Sequence, residues 1–470
     1  MNHFARLAVV LAAIPLAACQ SSQDRLATTP PPAPSETRAR NVILFIGDGM
    51  GISTITAARI YDGQKRGETG EENLLSFERF PQTALVKTYN TDAQVPDSAG
   101  TATAMNAGVK TRIGYIGVAE AAERGDCTAG KANPLPLTAE AAKGAGLQVG
   151  IVTTTRITHA TPAAVYGHSV DRDWESDKDI PAAERPEGCT DLAAQLVAFP
   201  FDVALGGGRG KFFGKDGGSG GGDRLDTAAR LPRDWAARTG GSYVETAGQL
   251  AAAPHGKPVL GLFAASHMTY MLDRKPDSTE PTLTAMTADA LARLKAGRKG
   301  YYLMVEGGRI DHGHHAGQAG YALEEAVEFA KAVQYAVDNT DPRETLILVT
   351  ADHSHVFHIA GYPRRGNPIL GLVTGGGEGP GSPDEPAVAL DGQPYSTLGY
   401  ANGPGAVRGP RPAPDTNVAA RQQALVPLGS ETHGGEDVAL YATGPGSADV
   451  RGVMEQNRIG WIVRRALGLR

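Results

Sequence analysis

Four short apolar runs recur along the chain, and they constrain its fold more than any other feature. They cover residues 42–46, 149–152, 301–305 and 345–349. A run that is apolar at nearly every position indicates a strand buried on both faces, which is typical of a parallel sheet. Helix-like segments precede the last three runs, at residues 138–143, 283–295 and 321–337. The alternation predicts an α/β fold with a central, mostly parallel sheet and helices on both faces.

Two segments interrupt this alternation. Residues 206–223 are rich in glycine, and we predict a long surface loop there. Residues 359–430 are rich in glycine and proline without clear periodicity, and we predict an irregular insertion near the active face of the sheet. The formal net charge of −6 and the lack of a basic block argue against a nucleic-acid partner.

The first forty residues have the pattern of an export signal. Arg6 precedes an apolar run that is too short to span a bilayer, and small residues then lead to Cys19. This pattern predicts a bacterial lipoprotein signal over residues 1–18, a lipidated Cys19, and a Pro-, Ser- and Thr-rich tether over residues 19–40. Residues 41–470 would then form the folded domain. The alternative is an ordinary signal peptide cut near Ala18.

Both interpretations export the protein to the periplasm or cell surface. Gln20 stands where an Asp commonly signals inner-membrane retention, which favours a lipid anchor in the outer membrane. If Cys19 carries lipid, Cys127 and Cys189 remain as an even pair. In an oxidising compartment, such a pair favours a disulfide over a metal site.

Acidic residues follow three of the apolar runs. Asp48 follows the first, Glu306 the third, and Asp352 with His353 the fourth. Because ligands bind beyond the carboxyl ends of parallel strands, these side chains are expected to converge at one edge of the sheet. Six of the 12 histidines lie between positions 312 and 358. Imidazole with carboxylate suits zinc, and carboxylate with hydroxyl suits magnesium, so the cluster predicts a metal centre.

A candidate nucleophile lies in the run Asp97-Ser98-Ala99-Gly100. Ser98 precedes small residues that can begin a helix, whose free N–H groups and positive end favour a bound phosphate. A metal can activate such a hydroxyl without a histidine base. Taken alone, the segment is better explained as an ordinary helix cap by Asp97 or Ser98.

Several blocks together resemble the alkaline phosphatase family. Residues 95–103 are similar to its serine-nucleophile signature, and residues 152–162, 305–315, 350–355 and 431–437 are similar to further family blocks in the right order. The resemblance extends from Asn41 to about Arg465. It implies an α/β enzyme that hydrolyses small phosphate monoesters, assembles as a homodimer and uses two zinc ions and one magnesium ion.

The resemblance also implies a role for each matching position. Ser98 would attack phosphorus to form a phosphoserine, and Arg172 would hold two phosphate oxygens with its planar guanidinium. The implied ligands are Asp311, His315 and His433 for the first zinc, Asp48, Asp352 and His353 for the second, and Asp48, Thr161 and Glu306 for magnesium. Activity would rise toward alkaline pH because a metal-bound water or Ser98 must lose its proton.

Details within the family point to its animal-type members. His159 and His312 stand at metal-site positions where other members carry Asp and Lys, and Cys127 and Cys189 match a disulfide of the animal enzymes. The calcium site of those enzymes is not matched, because Ala264 follows the Leu-Phe pair where an acid is expected. Residues 206–223 also differ, although Glu280 offers one ligand. These departures argue against a fourth metal.

Two alternatives remain open. A phosphodiesterase or sulfatase with the same metal edge would carry Thr, or a modified Cys or Ser, at the position of the nucleophile. The context of Ser98 fits neither well, and Arg172 favours a monoester dianion. A phosphate-binding or metal-loaded lipoprotein without catalysis would be expected to lack Ser98, Arg172 or a zinc ligand, and all of these are present.

Overall fold

The computed structural model describes residues 38–375 and 385–469. Its strands are β1 Asn41–Gly47, β2 Gln82–Lys87, β3 Gln148–Arg156, β4 Val203–Gly207, β5 Ser242–Val244, β6 Val259–Leu262, β7 Tyr301–Gly307, β8 Thr345–Ala351, β9 Ser354–His355, β10 Phe357–Ile359, β11 Leu398–Gly403, β12 Gln423–Pro427, β13 His433–Gly434, β14 Val438–Thr443 and β15 Gly452–Glu455. The helices are α1 Ile52–Lys65, α2 Ser98–Ala107, α3 Cys127–Ala132, α4 Thr138–Ala145, α5 Ala160–Ala163, α6 Leu192–Ala198, α7 Leu231–Thr239, α8 Ala247–Ala252, α9 Leu283–Leu294, α10 Arg309–His315, α11 Ala319–Asp338 and α12 Asn457–Leu467.

A ten-stranded sheet forms the centre, in the order β15-β2-β14-β8-β1-β7-β3-β4-β6-β5. Strand β14 runs antiparallel to its neighbours β2 and β8, and the other neighbouring pairs are parallel. Strands β7 and β8 are buried at every position, and β1 at every position after its first. The prediction of a mostly parallel sheet built on continuous apolar runs is therefore confirmed.

Helices cover both faces of this sheet. Helices α9 and α11 pack on each other and on its strands, and α12 packs on α2, α4 and β1 in a separate group. The predicted helical segments correspond to α4, α9 and α11, with ends shifted by a few residues. Helices α9, α11 and α12 all contact buried strands of the sheet, which is the expected layering of an α/β fold.

The segment 359–430 contains more order than its sequence pattern indicates. Strands β11 and β12 lie within it and join β10 in a three-stranded sheet, while the rest of its described part consists of turns and extended chain. These strands are short and their pairing partners are distant in sequence, so no local periodicity in the sequence predicts them. A two-stranded pairing of β9 with β13 brings His355 opposite His433.

The glycine-rich segment 206–223 begins as the end of β4 and continues through a 3-10 helix, Arg209–Lys211, into turns. It is not wholly a surface loop, because Phe212 and Phe213 within it are fully buried. The predicted disulfide is confirmed, with Cys127 bonded to Cys189. The predicted signal, Cys19 and most of the tether lie outside the described residues. Within the described part of the chain, no helix combines the length and apolar character needed to cross a membrane.

Candidate active site

The ends of three adjacent central strands place the predicted acids side by side. Gly47 at the end of β1 pairs with Gly307 of β7 and with Ala351 of β8. Asp48, Glu306 and Asp352 therefore meet at the carboxyl edge, and all three are fully buried. The convergence predicted from the sequence is present.

One cluster contains Asp311, His315, His355 and His433, whose ligand atoms all lie within 4.8 Å of one another. Asp311 and His315 lie one turn apart on α10, and Asp311 Oδ1 is 3.3 Å from His315 Nε2 and 3.4 Å from His433 Nε2. His433 Nδ1 lies 2.8 Å from the carbonyl oxygen of Pro96, and His315 Nδ1 lies 2.6 Å from that of Glu431. These contacts leave both Nε2 atoms directed at Asp311, as a shared cation requires.

His355 was not assigned a role from the sequence. Its Nε2 lies 2.8 Å from Asp311 Oδ1 and its Nδ1 lies 2.5 Å from Glu431 Oε2. Burial opposes the charged ring, but the two carboxylates outweigh it and raise the pKa of His355 to about 10. The ring therefore bridges Asp311 to the buried carboxylate of Glu431 and orients Asp311 toward the cluster.

A second cluster surrounds Ser98, which is 2% exposed at the first position of α2. Ser98 Oγ lies 3.1 Å from His353 Nε2 and 3.4 Å from Asp48 Oδ1. His353 Nε2 is also 3.3 Å from Asp352 Oδ2. Burial, reinforced by the charge of Asp352, raises the pKa of Asp48 well above its ordinary value. Burial likewise lowers the pKa of His353 well below its ordinary value, so this ring is neutral and available as a ligand.

A third group has oxygen atoms without partners. Asp48 Oδ2, Thr161 Oγ1 and Glu306 Oε1 are all buried and make no hydrogen bond to the described residues. The other oxygen of Glu306 accepts hydrogen bonds from the hydroxyls of Thr153 and Thr155. Burial raises the pKa of Glu306 to about 7. Unpaired buried oxygens from two carboxylates and a hydroxyl fit a hard divalent cation, so the residues predicted for magnesium suit that ion.

Arg172 is held in place by Asp97, the residue that caps the helix of the nucleophile Ser98. Its Nη1 donates to Asp97 Oδ2 at 3.0 Å, while Asp97 Oδ1 accepts from the N–H of Gly100 in the first turn of α2. Burial disfavours the charged form of Asp97, but Arg172 and these donors prevail and lower its pKa. One carboxylate thus caps the helix and orients the guanidinium.

The two histidines at variable positions have different surroundings. His159 has ligand atoms within 4.8 Å of those of Asp48 and Glu306, and its buried Nδ1 has no partner in the described residues. His312 belongs to none of the three donor groups found in the described residues. Its ring centroid is 5.6 Å from that of His159 and 4.2 Å from that of His267. His312 is therefore beside the third group rather than in it.

Four further residues at this edge were assigned no role from the sequence: His355, Glu431, Asp97 and His267. Asp97 had a signal, since an acid before a helix start is a common cap. Of the residues considered for the doubted calcium site, Glu280 accepts from the N–H and hydroxyl of Thr269, both at 2.9 Å. Its oxygens are thus in use, and Ala264 supplies no carboxylate.

The fold and these donor groups define an α/β enzyme with metal-binding clusters and a buried serine at the carboxyl edge of its sheet. The family model for alkaline phosphatase matches residues 39–469, and the chain belongs to the alkaline phosphatase family. It is 46% identical over 447 residues to the tissue-nonspecific alkaline phosphatase isozyme of Gallus gallus, covering 90% of this chain and 83% of that protein. It is 44% identical over 446 residues to the alkaline phosphatase of Gadus morhua, covering 90% and 91%.

Solved structures agree on the fold. Alkaline phosphatase from Thermus thermophilus superposes with a TM-score of 0.67 and 25% identity, covering 98% of this chain and 96% of that one. The enzyme from the Antarctic bacterium TAB5 gives 0.62 and 22%, covering 92% and 99%. Family membership makes the chain a phosphoric monoester hydrolase and implies metal cofactors.

Proposed function

We propose that this enzyme hydrolyses phosphate monoesters through a phosphoserine formed on Ser98. The observation that carries the proposal is the position of Ser98 Oγ, which is buried at a helix start between His353 Nε2 and Asp48 Oδ1. Ser98 is the first residue of α2, and the start of a helix favours a bound phosphate. Ser98 Oγ attacks phosphorus, the ester oxygen leaves, and water then cleaves the Ser98 phosphoester to release inorganic phosphate.

We propose three metal sites, two of which share Asp48. These are Asp311, His315 and His433 for one zinc, Asp48, Asp352 and His353 for a second zinc, and Asp48, Thr161 and Glu306 for magnesium. When bound, these ions would supply positive charge that favours the serine alkoxide and stabilises the departing oxygen. His355 and Glu431 hold Asp311 in place, while Thr153 and Thr155 hold Glu306.

Arg172 supplies the phosphate recognition in this proposal. Its guanidinium has two edges, and the contact with Asp97 uses Nη1. Nη2 lies 3.2 Å from His159 Nε2 and can turn to the oxygens of a bound phosphate. A doubly charged monoester gains more from a planar cation than a singly charged diester, so Arg172 favours monoesterase activity.

The test compares the hydrolysis of 4-nitrophenyl phosphate, bis-4-nitrophenyl phosphate and 4-nitrophenyl sulfate by protein loaded with zinc and magnesium at alkaline pH. We expect the monoester to be preferred and chelation to abolish its turnover. Ser98→Ala is expected to lower kcat/KM at least about a thousandfold, because the attacking oxygen is lost. Ser242→Ala, on the edge strand β5, is the matched control. A preference for the diester in wild type would support the diesterase alternative instead.

We also propose a homodimer. Strand β12 is an edge of the small sheet in the described chain, and Leu425 is 81% exposed and Val426 48% exposed on it. Apolar side chains on an open edge strand favour pairing with another copy. Light scattering should give twice the chain mass for wild type and a shift toward the monomer for Leu425→Lys. A monomeric wild type would contradict this proposal.

Export and lipid attachment at Cys19 complete the proposed function. The Cys127–Cys189 disulfide supports an oxidising compartment. Palmitate labelling of wild type, with none in Cys19→Ser, would support the anchor in the outer membrane. Equal release of both forms into the soluble periplasmic fraction would favour an ordinary signal peptide.

A further inference from the structure

Arg172 lies on a segment without regular secondary structure, at residues 167–180. The backbone of this segment is held by a neighbouring stretch of chain. Ile116 and Ser169 exchange two backbone hydrogen bonds of 2.9 and 2.8 Å, and the Arg172 N–H donates to the carbonyl of Gly114 at 2.8 Å. The position of the guanidinium therefore depends on residues 114–116 as well as on Asp97.

The side chains flanking Arg172 are buried in a small core of their own. Val170 and Trp174 pack in a cluster that is separate from the main core, and Cys189 packs against it. The other members of this cluster are Tyr115, Val118, Ala122, Cys127 and Ile180. We call residues 114–134 with 168–191 the clamp unit. The main core, by contrast, contains the buried strands β1, β7 and β8 that precede the metal donors.

The disulfide closes this unit. Cys127 begins α3, and its bond to Cys189 joins the two stretches of the clamp unit. One turn later, Gly130 allows close contact with Val170, because a Cβ at Gly130 would lie 2.6 Å from Val170 Cγ1. Helix α3 thus presses directly on the side chain two residues before Arg172.

The clamp unit is not fully packed next to the disulfide. A cavity of about 350 Å³ is lined by residues that include Val170, Cys189, Gly130 and His168. This cavity is partly open to solvent, so no packed side chains block a shift of the segment into it once the covalent link is removed. An ion pair of Arg124 with Asp171, at 3.2 Å, remains, but its side chains are 45% and 21% exposed and it adds little.

We propose that the Cys127–Cys189 disulfide positions Arg172 for phosphate binding, through the small core of the clamp unit, without supporting the metal sites. This inference rests on the proposed role of Arg172 in binding phosphate. Cys127, Cys189, Val170 and Trp174 are positioning residues, since their effect passes through Arg172. Losing the disulfide weakens the binding of phosphate and monoester, while the metal donors on the main sheet stay in place.

The test is a double-mutant cycle on the full, metal-loaded enzyme. Wild type, Cys127→Ala/Cys189→Ala, Arg172→Ala and the combined variant are compared for KM, kcat, inhibition by inorganic phosphate, and zinc and magnesium content. We expect the cysteine variant to raise KM and the inhibition constant about three- to tenfold with unchanged metal content. In the Arg172→Ala background, removing the two cysteines is expected to raise KM and the inhibition constant by less than about 1.5-fold.

Equal fold-changes in both backgrounds, or a loss of metal with the cysteines, would overturn the inference. If the cysteine variant fails to fold, Val170→Ala keeps the disulfide and removes the contact below Arg172. It is expected to raise the phosphate inhibition constant about two- to threefold in wild type only. If Arg172→Ala itself leaves phosphate inhibition unchanged, the proposed role of Arg172 fails. If Arg172→Ala weakens inhibition and neither supporting variant does, only this inference fails.

Discussion

Among single residues, Glu325 combines nearly complete burial with a position away from the metal donors. It lies on α11, is 4% exposed, and its Oε1 accepts from the N–H of Met271 at 2.6 Å. Burial raises the pKa of Glu325 to about 7, and the Met271 N–H and Arg309 only partly offset this. The folded protein therefore binds this proton more tightly than the unfolded chain does.

This raised pKa predicts that Glu325 lowers the free energy of unfolding at high pH. The stability linked to Glu325 is full below its ordinary pKa of 4.5 and falls as the pH rises through about 7. Glu325→Gln keeps an acceptor for Met271 and is expected to recover up to about 3 kcal/mol at pH 8, with the gain vanishing below pH 5. Denaturant unfolding at both pH values measures it, and the exposed Glu123→Gln sets the baseline. A gain that is equal at both pH values would refute the assignment.

At this scale, the sequence predicted residues that follow strands and missed those placed by long-range pairing. Asp48, Glu306 and Asp352 could be found because a strand end marks each of them. His355 lies three residues beyond Asp352, but its contact with Asp311 depends on the pairing of β9 with β13, across 78 residues of chain. His312 lies in the same histidine-rich run but outside the donor groups found in the described residues.

Helix α2 carries the nucleophile at its first position, and α12 packs against its C-terminal end. Trp461 Nε1 donates to the carbonyl of Gly108 at 2.8 Å, just beyond the end of α2. Gly460 allows the two helices to approach closely, since a Cβ there would lie 2.7 Å from Met105 O and 2.9 Å from Gly108 N. Both contacts are with backbone, which cannot turn aside.

Gly460→Ala is therefore expected to destabilise the protein by about 1–3 kcal/mol, because the two helices must move apart. Gly144→Ala, in α4, is the matched control, since a Cβ there meets nothing within 4 Å. The control is expected to be neutral or to stabilise by up to about 1 kcal/mol. Urea unfolding of both variants decides this, and a stable Gly460→Ala would show that the helix contact is loose.

Elements could be predicted from the sequence where their own periodicity is strong. The long helices α9 and α11 and the central strands meet that condition. Strands β11 and β12 could not be found, because they are stabilised by each other and by β10 rather than by a local pattern.

For the molecule as a whole, buried like charges at one sheet edge predict a stability that depends on bound cations. Burial and the charges of its acidic neighbours raise the pKa of Asp48, and burial raises that of Asp352, so the metal-free protein bears an electrostatic penalty at alkaline pH. We expect chelation to lower the unfolding temperature by several degrees at pH 8, and by less at pH 6. Calorimetry with and without chelator tests this, with Ser98→Ala as a control that retains the metal effect. An unchanged unfolding temperature would argue against the proposed sites.

The strands that deliver the acids occupy the middle of the ten-stranded sheet. Three strands separate β8 from one edge, and four separate β7 from the other. Fraying begins at edges, so amide protons on β1, β7 and β8 should exchange with solvent only when the entire molecule opens. Local unfolding at the sheet edges then leaves Asp48, Glu306 and Asp352 in place. Heat inactivation that requires the loss of these three strands would proceed at the rate of global unfolding.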